Sequence, residues 1–302
     1  SLVNLNRCGV PLMEIVSEPD MRGAAEAREY MQRLRQLLVW IGVNDGNMEE
    51  GSLRCDANVS VRQVGQQELG VKVEVKNMNS FRAVHLALQH EIERQRLALL
   101  AGETIIQETR GWNEAKGITV GQRSKEFAHD YRYFPEPDLP PMTVSREEVD
   151  RVRADLPELP AARAQRFRDQ LDLSDYDALQ LTATRELADY YEDVLEQLGT
   201  GNAKEAANWV VGEVNRAVKD GDGLGALNVR PAVLAALVRR KLDGTISNNQ
   251  ARELFAGLAE SAEPLTDAAA VDLMIEARGM RQVTDALQLD AWVDAAIAAQ
   301  PQ

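Results

Sequence analysis

Apolar positions recur with two different periods along the first half of this chain and with one along the second. Residues 12–17 are an apolar run between Pro11 and Pro19, interrupted by Glu14 and ending on Ser17, and short enough for a buried strand. Ala27, Tyr30, Met31, Leu34, Leu37, Leu38 and Ile41 return at helical spacing and predict an amphipathic helix over 22–41, ending before Gly42. Leu53, Cys55, Ala57, Val59 and Val61 alternate with Arg54, Asp56, Asn58, Ser60 and Arg62. Val71, Val73 and Val75 alternate with Lys72, Glu74 and Lys76. Both stretches read as half-buried strands with polar outer faces, joined by a hairpin through residues 65–70. Ser80 is placed to cap a helix over 81–100, which Gly102 closes.

From about residue 150 only the helical period survives, with Gly or Pro breaks at Pro160, Gly199, Pro231, Gly244, Pro264 and Gly279. This predicts a helical bundle followed by a further small helical unit. The glycine-rich stretch 220–225 is read as an interhelix turn, because a phosphate loop would need GxxxxGK[ST] after a strand.

Composition narrows the class. The chain has 302 residues, 44% hydrophobic and 27% charged, which fits a globular protein and excludes disorder. No apolar run nears the eighteen or so residues of a membrane span. Two cysteines, Cys8 and Cys55, are too few for a disulfide framework and form no CxxC pair. A reducing, cytoplasmic setting is therefore expected. The net charge of −14 divides into −4 over residues 1–148 and −10 over 149–302. A chain this acidic does not bind polyanions over its whole surface, so any nucleic-acid contact must be local. The start at Ser1 shows no signal-peptide pattern, and the abrupt start and finish lead us to expect a fragment cut at both ends.

The candidate chemistry lies on the polar strand faces. Side chains two apart on a strand share a face, so Arg54, Asp56 and Asn58 project together, joined by Glu74 and Lys76 if the strands pair. Glu14 interrupts an apolar run, where an ionised carboxylate is costly unless paired or metal-bound. Glu49 and Glu50 lie in the loop leading to Asp56. Carboxylates converging on one cleft repel one another, and a divalent cation removes that cost. Mg²⁺ suits such a site, taking one or two carboxylates and leaving positions for water and phosphate oxygens. The plainer alternative, Glu74 paired with Lys72 or Lys76 on a solvated face, stays open from spacing alone. The proline-rich stretch 131–141 (YRYFPEPDLPP) must run extended and reads first as a structural strap. His85, His90 and His129 lack metal-ligand spacing, and no Ser-His-Asp arrangement or nucleophile elbow occurs.

Four blocks carry a family resemblance: GVPLMEIVSEPD at 9–20, GNMEEGSLRCDANVS at 46–60, EVKNMNSF at 74–81 and HDYRYFPEPDLPP at 129–141. In this order they resemble the B-type subunit of the aspartyl/glutamyl-tRNA amidotransferase, with weaker likeness onward through 208–210, 244–247 and 279–285. The resemblance implies an α+β fold: a mixed sheet-and-helix portion of the catalytic cradle over 1–148, an all-helical domain over 149–262, and the beginning of a tRNA-binding helical tail over 263–302. It implies a ligase that uses ATP and Mg²⁺ to phosphorylate the side-chain carboxylate of a glutamate or aspartate esterified to tRNA(Gln) or tRNA(Asn). Ammonia from an A-type amidase subunit then displaces phosphate, within a heterotrimer completed by a small C-type subunit. By position, Glu14, Glu50, Asp56, Glu74 and Lys76 match the family's kinase-like cleft, with Glu14, Asp56 and Glu74 as the metal carboxylates. The chain departs from the pattern at Gln122, usually methionine, at Cys8, usually a small residue, and in lacking the family's first segment and distal tail. One rival is the archaeal E-type subunit, for whose inserted domain there is no room between Pro141 and Leu171. The other is a non-catalytic tRNA-binding scaffold.

The densest basic run of the acidic half is Arg239, Arg240 and Lys241, at the end of a helix expected to start near Pro231. It is the candidate tRNA-backbone contact. The alternative is that it only complements the helix C-terminal dipole.

Overall fold

The computed structural model describes residues 10–122, 137–138, 140–220, 223–261, 263–282 and 286–299. The chain forms two compact units, Ser1–Glu148 and Val149–Gln302.

In the first unit, α1 (Ala24–Trp40) follows the predicted periodicity, and Gly42 after it adopts φ 75°. Strands β1 (Cys55–Val59) and β2 (Val73–Met78) pair antiparallel. Helix α2 (Phe81–Leu100) begins where the Ser80 hydroxyl accepts the Ala83 N–H at 3.0 Å. Two further strands, β3 (Thr109–Asn113) and β4 (Ile118–Gly121), complete a sheet in the order β1-β2-β3-β4. The β2–β3 pair is parallel and the β3–β4 pair antiparallel. Parallel neighbours need a crossover, and α2 supplies it. Val59, Val75, Met78, Ala83, Val84, Ala87, Leu88 and Trp112 form the core of this unit.

Two findings differ from the sequence reading. The apolar stretch 12–17 is no strand: it has no regular structure, and Leu12 and Val16 are 92% and 81% exposed. A strand needs a neighbour for its backbone N–H and C=O groups, and none among the described strands pairs with it. Strands β3 and β4 were not anticipated, although β4 is β-branched and the turn before it holds Gly117 at φ 64°.

Beneath the sheet, α2 buries an ionised group that the sequence reading passed over. Glu91 is fully buried. Its Oε1 accepts from Arg94 Nη2 (2.7 Å) and Gln95 Nε2 (2.9 Å), and its Oε2 from Thr119 Oγ1 (2.8 Å). Arg110 Nε lies 3.5 Å from Oε2, and Gln95 reaches on to the Val59 carbonyl at 3.2 Å. One carboxylate thus ties α2 to three of the four strands.

The regular structure among the second unit's described residues is helical, apart from an isolated bridge between Val229 and Leu265. Its helices are α3 (Arg146–Asp155, shared with the end of the first unit), α4 (Pro160–Leu171), α5 (Asp175–Leu181), α6 (Arg185–Leu198), α7 (Ala203–Trp209), α8 (Asn215–Asp220), α9 (Pro231–Leu242), α10 (Asn248–Ala259), α11 (Ala269–Ala277) and α12 (Ala286–Ala299). Pro160 and Pro231 stand in the first helical turn, where the missing N–H has no partner to lose. Ser247 and Gln250 close a capping box on α10. Phe167, Tyr191, Leu234, Leu254 and Ile275 share one core, so α11 is built into the same interior as α4, α6, α9 and α10. Tyr190 and Tyr191 are buried, yet each hydroxyl donates to a carbonyl, Val229 at 2.8 Å and Ala203 at 3.2 Å. Among the described residues no helix is long and apolar enough to cross a membrane.

Candidate functional site

The site is built on the outer face of β1 and β2. Asn58 pairs with Glu74, Ala57 with Val75 and Cys55 with Met78. The register therefore sets two residues of β2, Lys76 and Asn77, against the single Asp56 of β1. This is a β-bulge, and bulges re-aim side chains. Asn77 takes a left-handed conformation, φ 64°, which breaks the alternation: Lys76 and Asn77 both stay on the outer side while Met78 returns to the core.

The bulge gathers charge. Lys76 Nζ lies 2.8 Å from Asp56 Oδ2 and 3.1 Å from Glu74 Oε1. The Asp56 carboxylate first, and Glu74 after it, hold the ammonium above the ordinary lysine range. Glu74 Oε2 accepts from Thr109 Oγ1 on β3 at 2.8 Å. Thr109 was missed by the sequence reading because its strand was not recognised. Next to Asp56, burial pushes the Cys55 thiol up to about 11, so it is inert at neutral pH.

Glu50 belongs to a loop ordered by its own polar side chains. Asn47 Oδ1 accepts from Glu49 N and Glu50 N (3.0 and 3.2 Å), and Asp45 accepts from Asn47 N and Ser52 Oγ (2.8 and 3.1 Å). The Glu50 side chain is exposed, as is Glu14 in its irregular stretch. The structure thus brings Asp56, Glu74 and Lys76 together and leaves Glu14 and Glu50 outside that cluster. Among the described residues no three His, Cys, Asp or Glu side chains gather as a metal set would. Asp56 and Glu74 still fit Mg²⁺ in chemistry, as two hard oxygen donors already closed around one cation, the Lys76 ammonium. Cys8, His129 and residues 131–136 and 139 of the strap lie outside the described residues.

The basic run at the end of α9 is engaged within the second unit. Arg239 donates to the Gln197 carbonyl. Arg240 grips Asp272 of α11 through two bonds of 2.7 and 2.8 Å and reaches Asp243 at 3.2 Å. Lys241 pairs with Glu205 of α7 at 2.8 Å. Asp272 foremost, then Asp243, hold the Arg240 guanidinium well above its ordinary pKa.

Comparison with known proteins adds to this geometry. A family model described as GatB/GatE catalytic domain matches residues 1–150, and one described as GatB domain matches 189–302. The chain is 52% identical to the B-type subunit of the aspartyl/glutamyl-tRNA(Asn/Gln) amidotransferase of Herpetosiphon aurantiacus, over 100% of this chain and 62% of that protein. It is 50% identical to the same-named protein of Bordetella petrii, over 99% of this chain and 61% of the relative. That of Burkholderia multivorans is also 50% identical, over 98% and 60%. The chain thus spans about three fifths of the length of these curated relatives.

Proposed function

The chain belongs to the GatB/GatE family, and from that premise we propose that it is part of a glutamine-dependent tRNA amidotransferase. The relatives' name describes an amide transfer; the ATP-dependent route to it is our reading, on Glu-tRNA(Gln), Asp-tRNA(Asn) or both. The terminal phosphoryl of ATP passes to the side-chain carboxylate of the esterified amino acid, leaving ADP and an acyl phosphate. Ammonia then attacks the acyl carbon, the C–O bond to phosphate breaks, and an amide and inorganic phosphate result. The full assembly would include an A-type amidase subunit and a small C-type subunit, in the cytoplasm.

The observation that carries this reading is the Asp56–Lys76–Glu74 cluster, within the stretch matched by the catalytic-domain model. Phosphoryl transfer asks a protein chiefly to position oxygens and neutralise charge. Lys76, fixed by two carboxylates, presents its ammonium at a set place and so can meet a phosphoryl oxygen there. Thr109 orients Glu74. Mg²⁺, when bound, would supply further neutralisation of phosphate charge, and Asp56 and Glu74 are the residues that would hold it. Glu14 and Glu50 remain part of the proposal as carboxylates within the stretch that the catalytic-domain model matches.

The test is phosphate release from ATP by the full-length protein in its complex, with each misacylated tRNA in turn. Glu74→Gln and Lys76→Met are expected to lower tRNA-dependent turnover on the order of 10² to 10³, as loss of one preorganised charge does elsewhere. Glu14→Gln is tested beside them. Unchanged turnover in the Glu74 and Lys76 variants removes the cluster from the chemistry. No tRNA-dependent release by the unaltered protein defeats the whole reading.

A further inference from the structure

Gly111 of β3 lies beside Lys76 on one side and Val120 on the other, so its free face looks out on the polar side of the sheet. A β-carbon there would stand 2.9 Å from Asn77 Nδ2 and closer still to Gln122 Nε2. Two carboxamides therefore lean over the glycine, and a side chain at this position would have to push both aside. Asn77 reaches this position through its left-handed backbone (φ 64°), a conformation that asparagine tolerates but that persists only where the surroundings impose it. With Asn113 and Val120 these residues line a hollow of about 240 Å³.

Among the described residues the lining includes three carboxamides and no charged side chain. Asn113 is committed, its Oδ1 accepting Lys116 N at 3.0 Å. The Asn77 and Gln122 side chains are exposed, with no hydrogen-bond partner among the described residues. The described residues that line the hollow include no cation that would hold an anion within it. An uncharged floor of paired donors and acceptors suits an uncharged planar group. Asparagine and glutamine pair through both amide atoms with the N6 and N7 edge of adenine. The hollow is smaller than the roughly 300–1,000 Å³ that enclose a drug-sized ligand, and so fits a base and not a whole nucleotide. Exposed Val120 offers an apolar surface for the ring.

We propose that the hollow over Gly111 is an adenine seat in which Asn77 and Gln122 read the edge of the base. Its place in the reaction rests on the amidotransferase reading, where adenine arrives either in ATP or as the 3′-terminal adenosine of tRNA. Calorimetric titration of the full-length protein with adenosine and guanosine tests the seat without any turnover. The unaltered protein is expected to prefer adenosine at least tenfold. Asn77→Gly keeps the backbone conformation and removes the carboxamide. Gln122→Met keeps the volume and removes the donor–acceptor pair. Each is expected to cut the preference at least fivefold, with the melting temperature of Asn77→Gly unchanged or higher. No adenosine preference in the unaltered protein, or one that survives in both variants, overturns the seat. Weakened ATP binding with GTP binding unaltered assigns the base to ATP. A raised KM for misacylated tRNA with unaltered ATP affinity assigns it to tRNA. Adenosine preference without tRNA-dependent phosphate release would leave the seat standing and defeat only the amidotransferase reading.

Discussion

Glu91 shows what a single residue contributes when its charge is buried. Burial by itself would raise its pKa, but hydrogen bonds from Arg94, Gln95 and Thr119 outweigh that and hold the carboxyl below the usual glutamate range. Removing one member of a buried charge network leaves the others without a partner, at about 3–5 kcal/mol. Glu91→Ala should lose that much by urea denaturation at neutral pH, because it strands Arg94, Gln95 and Thr119 together. The pH dependence follows from the sign of the shift. A carboxyl with a lower pKa folded than unfolded adds stability above its unfolded value, near pH 4.3, and loses it as pH falls through the folded value. Urea midpoints measured below about pH 4.3 should fall in the unaltered protein. In Glu91→Gln that part of the acid slope should vanish; a slope equal to the parent's would mean that other carboxyls carry it.

At the scale of elements, α9 presents the sharpest choice. Its last turn carries Arg239, Arg240 and Lys241, which favour the negative end of the helix by roughly 0.3–1 kcal/mol each. The tertiary partners go further: Arg240 joins α9 to α11, and Lys241 joins it to α7. Contact with tRNA phosphate would have to displace these carboxylates. The intramolecular pairing is thus the stronger reading of the run, and phosphate contact is its competitor. Replacing all three by Ala in the intact complex should lower the melting temperature by a few degrees. The slope of log tRNA affinity against log salt should stay as it was. A slope shallower by two or more would show that these cations release phosphate counterions, and would return the run to the tRNA surface.

At the scale of the molecule, the two units have cores that share no residue. Chains with separate cores commonly unfold in more than one step. Scanning calorimetry should show two transitions. Glu91→Ala should lower one of them, and Phe167→Ala, which empties a fully buried site at about 3–5 kcal/mol, should lower the other. A single transition shifted by both variants would mean that the units melt as one.

Local signals in the sequence carried the helices and their ends. The spacing of Tyr30, Leu34 and Leu38, the cap at Ser80 and the prolines at 160 and 231 each act within a turn or two of chain, so they are legible without knowing what lies opposite. The alternation around Asp56 and Val75 marked β1 and the start of β2 for the same reason. What the sequence left open is everything set by a distant neighbour. Nothing in the alternation of β2 shows that Asn77 turns left-handed, because the bulge exists only in register with Asp56. The apolar run with Glu14 reads as a strand by composition, yet a strand forms only where another backbone meets it. Short β3 and β4 are held by pairing and by the buried Glu91 network more than by their own pattern. Arg240 could be seen as a cation at a helix end, but its partner Asp272 stands 32 residues away. Periodicity says which face a side chain occupies. Register and helix packing decide which remote side chain it meets, and so the grouping of Asp56, Lys76 and Glu74 was decided by the tertiary structure.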